Sequence, residues 1–216
     1  MQKVRGILKL LEAEYNIKEW VPEKTDPLDI LIATILSQNT SDINSSRAFS
    51  SLKKHYKSWY GVLEEKEGRI AKIIRKGGLP RVKAKRIKLT LLKIFEERGE
   101  LDIGFLKNMS LKKSMEWLQK LPGVGPKTAA VVLNFGFGKN IIPVDTHVYR
   151  VSRRIGLINE KTPAKAQKEL NKKIPPELSY LFHMLLITHG RKICRARNPL
   201  CKKCVINKFC DYFKSQ

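Results

Sequence analysis

No stretch of this 216-residue chain approaches the roughly 20 consecutive apolar residues needed to cross a bilayer; the best run, Ile30 to Leu36, is about a third of that length. A membrane partner is therefore not expected. The opening string MQKVRGILKLLEAEY mixes charged and apolar residues at helical spacing and lacks the continuous apolar segment of a signal peptide, so an intracellular location is expected, in cytoplasm and nucleoid or in a nucleus. Low-complexity linkers, solenoid repeats and convincing runs of alternating strands are also missing. Acidic residues are scarce: 20 Asp and Glu face 43 Lys and Arg, a formal net charge of +23 spread along the chain. The surplus points to a polyanionic partner, because each cation set against a phosphate releases condensed counterions. A generic solvated surface is the plainer alternative. Cysteine is absent before Cys194, and all four cysteines lie between Cys194 and Cys210. A reducing compartment favours metal over disulfides for such a group.

What is present reads as helix almost throughout, and the expected class is all-α. With 42% hydrophobic residues the chain can bury a core as one large domain or as two lobes. Val4, Ile7, Leu8 and Leu11 form one apolar stripe. A second helix starts at Asp26 with Pro27 in its first turn and carries Ile30, Ala33 and Leu36. Ser110 is positioned to cap a helix bearing Met115 and Leu118 that must stop by Pro122. Thr162 followed by Pro163 opens another, with Ala166, Leu170 and Ile174 on one face.

The string LPGVGPKTAA, from Leu121 to Ala130, follows one helix and opens the next, which Gly136 closes. Gly123 and Gly125 can take positive φ and carry no side chain, so the backbone N–H groups of this hairpin can approach a phosphate at a helix N-terminus. Gly123, Val124, Gly125 and Thr128 are accordingly candidate DNA contacts. Such contacts place the backbone and read no base. Lys127 sits in the first turn of the second helix. By position alone it is a solvated lysine or a phosphate contact. Downstream, VDTHVYRV places Asp145 where it can cap a helix carrying Val148, Val151 and Ile155. His147, in the same string, is a candidate phosphate contact or a buried, hydrogen-bonded ring, while His55, His183 and His189 read as structural or surface residues. Cys194, Cys201, Cys204 and Cys210, spaced C-x6-C-x2-C-x5-C, can close four thiolates around one centre, either zinc or a cluster.

Taken together, the hairpin, the VDTH aspartate and the four-cysteine loop resemble the helix-hairpin-helix glycosylases of the endonuclease III family, over nearly the whole chain. That resemblance implies two helical lobes: a six-helix barrel with the hairpin over residues 20–139, beginning at Trp20, and a cluster lobe made of residues 1–19 and 140–216, with a DNA cleft between them. It implies a [4Fe–4S] cluster on the four cysteines, Lys127 as nucleophile and Asp145 as stabiliser of positive charge at the sugar. The partner would be duplex DNA with damaged bases or abasic sites, met by a monomer, and the substrate class would be oxidised pyrimidines such as thymine glycol. Related enzymes that remove adenine or mismatched thymine often lack the lysine. The basic loop around Arg195, Arg197, Lys202 and Lys203 could meet phosphates. Gln38 and Asn39, in LSQNTSD, are the candidates to fill the gap left by a flipped nucleotide, or else they cap a helix end. Two other readings stay open: a monofunctional glycosylase with an Asp145-activated water, and a non-enzymatic DNA-binding module with a zinc-stabilised tail.

Overall fold

A computed structural model describes residues 2–17 and 26–216, and within them every regular element is helical. The chain forms two compact units: one joins the N-terminal helix to residues 138–216, the other ends at Phe137. The expected boundary at Trp20 lies outside the described residues.

In the first unit, α1 (Gln2–Tyr15) buries the Val4, Ile7, Leu8 and Leu11 stripe. It shares a core with α9 (Thr146–Arg154), α10 (Pro163–Lys173) and α11 (Ser179–Lys192), in which Val148, Val151, Leu170, Phe182, Leu185 and Leu186 are fully buried. Thr162 caps α10 through its side chain, as Pro163 and the Ala166–Leu170 face predict. After α11 the backbone runs as turns and short 3-10 segments through the cysteines to α12 (Asp211–Lys214).

The second unit contains α2 (Pro27–Ser37), α3 (Asp42–His55), α4 (Trp59–Glu64), α5 (Glu67–Ile73), α6 (Pro80–Arg98), α7 (Leu111–Gln119) and α8 (Pro126–Val131). Glu65 and Lys66 are extended and divide α4 from α5. Asp26 caps α2, accepting from the Leu28 N–H, and Pro27 occupies its first position. The buried face differs from expectation. Leu28, Leu31, Ile32, Ile35 and Leu36 are fully buried while Ile30 and Ala33 are only half-buried. The helix is apolar nearly all round, so periodicity alone could not choose its inner face. Ser110 caps α7, which ends before Pro122, and α8 continues as a π turn over Val132–Gly136.

Candidate functional site

Each unit carries one part of the expected site. In the second unit the hairpin between α7 and α8 is anchored by its own buried Leu121 and Val124 and by the Thr90 hydroxyl of α6, which donates to the Pro122 carbonyl at 2.9 Å. Gly123 takes φ +78°, as predicted, and a Cβ there would stand 2.9 Å from Cδ of Arg86. Gly125 does not. Its φ is −89° and its ψ 179°, so its backbone is extended and any residue could adopt it. What distinguishes it is openness, since a Cβ built there meets nothing within 4 Å. Val124 has a buried side chain, and its N–H donates to the Leu121 carbonyl at 3.1 Å. Thr128 is likewise buried, with its hydroxyl 3.4 Å from the Gln38 amide nitrogen, so only its first-turn N–H suits an anion. Lys127, between exposed Pro126 and buried Thr128, is exposed at the N-terminal turn of α8.

Gln38 and Asn39, adjacent in sequence, have different fates. The Gln38 amide donates to the Gly123 carbonyl at 3.0 Å, and its oxygen accepts from Arg86 at 2.9 Å. Its side chain thus fastens the end of α2 to the hairpin. Asn39 is exposed at φ +53°, in the left-handed region. A second corner of the same kind was missed from sequence: Leu79, 51% exposed, sits at φ +48° just before α6. A β-carbon on Gly78 would lie 3.9 Å from the Asn39 carbonyl, so the two corners are neighbours. The signal available was the pairing of Gly78 with an apolar residue and Pro80, which reads as a turn without showing what projects from it.

In the first unit, Asp145 caps α9, its Oδ1 accepting from the N–H groups of His147 and Val148 at 2.9 and 2.8 Å. His147 is half-buried, and its Nδ1 lies 3.1 Å from an Arg150 nitrogen, which takes up one edge of the ring. Arg150 also donates to the carbonyls of Cys194 and Gly190.

The four cysteines are not joined as disulfides, and all four line one cavity with about 330 Å³ of empty space, part of it open to solvent. Among the described residues no three His, Cys, Asp or Glu side chains close around a single-ion position. Two side-chain nitrogens face the sulfurs. Arg154 Nη1 lies 3.4 Å from Cys194 Sγ, and His189 Nε2 lies 3.4 Å from Cys204 Sγ. Burial pushes the Cys204 thiol up to about 11 and His189 down to about 4. The Tyr15 hydroxyl, 2.8 Å from His189 Nδ1, completes a chain from α1 to the loop. His189, read from sequence as merely structural, thus meets a cysteine. Arg195 is exposed, with its carbonyl held by Arg154 at 2.6 Å. Four thiols with a cation and an imidazole directed at two of them suit an anionic, thiolate-held centre, and the residues present fit such a group.

Comparison with known proteins agrees with this arrangement. Residues 32–176 match the HhH-GPD superfamily of base excision DNA repair proteins. Endonuclease III of Thermotoga maritima is 35% identical over 192 residues, covering 89% of this chain and 86% of that protein. A structure of a non-covalent endonuclease III–DNA complex superposes with a TM-score of 0.84 at 29% identity, covering 99% of this chain and 96% of that one. A thermostable thymine-DNA glycosylase gives a TM-score of 0.79 at 25% identity, covering 100% and 98%. No described helix is long and apolar enough to cross a membrane. By profile, identity and fold, the chain belongs to the endonuclease III family of base-excision-repair DNA glycosylases.

Proposed function

We propose that this glycosylase acts as a monomer on duplex DNA, removes oxidised pyrimidines and then cleaves 3′ of the abasic site through a Schiff base on Lys127. The observation that carries the reading is the position of Lys127, an exposed residue at the N-terminal turn of α8, one residue beyond Pro126 and two beyond the open face of Gly125. A phosphate bound by the hairpin N–H groups brings the neighbouring sugar to that amine. In its neutral form the amine attacks C1′ and the base departs. The sugar ring opens to an iminium, a proton leaves C2′, and the 3′ phosphate is eliminated. Asp145, whose carboxylate is oriented by two backbone N–H groups, stabilises the positive charge that develops at the sugar.

Asn39 and Leu79 are the residues proposed to enter the duplex, because both project from exposed left-handed corners while Gln38 is held in place. His147 would contribute to phosphate contacts only beside Arg150, and Arg195 would contact phosphates from the cysteine loop. In this reading residues 20–139 grip the backbone, and residues 1–19 and 140–216 form the cluster domain. Cys194, Cys201, Cys204 and Cys210 would hold a [4Fe–4S] cluster, which supplies folding energy to the loop when bound.

Borohydride trapping tests the lysine. The intact protein should form a covalent adduct with lesion-bearing duplex, and Lys127→Ala should form none and lose strand cleavage by on the order of 10³-fold or more. The likeness to a thymine-DNA glycosylase favours one second reading, a monofunctional enzyme using water activated by Asp145. Base release with no trapped adduct from the intact protein would select it. Iron analysis and visible absorbance separate both from a zinc-stabilised binding module.

A further inference from the structure

One of the largest fully buried side chains among the described residues is a cation. Lys83, on the first turn of α6, is 1% exposed, and no Asp or Glu is among the buried polar residues. Its ammonium donates to two backbone carbonyls, Leu36 and Gly77, each at 2.7 Å. Burial, followed by the nearby Arg86 guanidinium, lowers its pKa. Burying an ammonium against neutral carbonyls is a costly way to fill a core, since an apolar side chain of similar volume would avoid the desolvation.

Its two partners are placed unusually. Leu36 is near the C-terminus of α2, where carbonyls lack helical partners, and three residues later comes Asn39. Gly77 ends the 3-10 turn Arg75–Gly77, and two residues later comes Leu79. One ammonium therefore ties together the roots of both exposed left-handed corners. One helical turn further along α6, Arg86 ties Gln38, between those corners and the hairpin. From this we infer that Lys83 is a positioning residue for nucleotide extrusion: it sets the spacing between Asn39 and Leu79 so that both enter the duplex together. The inference rests on the proposed insertion of those two side chains.

The test uses single-turnover excision by full-length Lys83→Met and Lys83→Gln proteins. Each acts on one lesion in two settings: a fully paired duplex, and the same strand opposite a gap with no facing nucleotide. Extrusion in the gap needs little help from a wedge. Lys83→Met should lose about 10- to 100-fold on the paired duplex, keep most of its rate opposite the gap, and bind undamaged duplex as tightly as before. Lys83→Gln, which can still donate to both carbonyls, should recover part of the paired-duplex rate, and it carries the test if the methionine variant does not fold. Equal loss on both substrates, or no loss on either, overturns the inference. Asn39→Ala and Leu79→Ala run alongside. If they show duplex-selective loss and neither Lys83 variant does, insertion stands and the Lys83 assignment falls. If they show none, insertion itself is wrong.

Discussion

The hairpin around Gly123 and the loop from Cys194 to Cys210 are both irregular segments between helices, yet they are ordered by different means. The hairpin is short and is anchored by buried apolar side chains as well as by bonds from Thr90 and Gln38. Leu121 and Val124 are buried, a turn bond joins Val124 to Leu121, and Gly123 supplies the one positive φ. The cysteine loop is longer and contains little apolar burial; only Ile206 and Cys210 are buried within it. Its turns carry bonds of their own, such as Cys204 N–H to Cys201 and Cys210 N–H to Asn207, and it is tied from outside by Arg150 and Arg154 on α9 and by His189 on α11. A turn seated on buried apolar side chains survives on that packing, whereas a loop with little apolar burial depends on whatever fills the space between its thiols.

Three perturbations sharpen that contrast. The largest effect should follow Cys204→Ser, or loss of the proposed cluster, with Tm falling by about 10 °C. Trypsin should then cut at Arg195, Arg197, Lys202 or Lys203, all exposed, while the hairpin stays resistant. Cutting at both loops together would break the comparison. Next, Gly123→Ala should cost about 2 kcal/mol by chemical denaturation. It combines a positive φ with a Cβ close to Arg86, whose displacement loosens Gln38. Gly125→Ala, at an extended and open position, should leave stability within about 0.5 kcal/mol, so that any loss of DNA affinity reports backbone approach alone. The change in stability expected at Asp145 lies between those two. Asp145→Ala removes the cap of α9 and should cost about 1 kcal/mol, while Asp145→Asn keeps the cap. Both should lower base release, and a large loss in the stable Asn variant separates charge from capping.

Much of the scaffold was legible because its causes are local. The α1 stripe, the caps at Asp26, Ser110, Asp145 and Thr162, and the stop before Pro122 each depend on residues within a few positions of one another. The inner face of α2 was not, since an almost wholly apolar helix leaves its orientation to its neighbours. In the site, the choice between Gln38 and Asn39 could not be made from a string in which both are amides. The two differ through Gly123 and Arg86, remote in sequence, which engage Gln38 while Asn39 is exposed.

Composition and local pattern decided that the chain is helical, basic, built around a glycine hairpin and closed by four cysteines, because helix periodicity, caps, turn chemistry and ligand spacing all act over a few residues. Only tertiary structure decided which side chains those features meet. It brought Lys83 to the carbonyls of Leu36 and Gly77, His189 to Tyr15 and Cys204, and Leu79 to the neighbourhood of Asn39. Such pairings join positions far apart in the chain, and buried polar groups must find partners wherever packing delivers them.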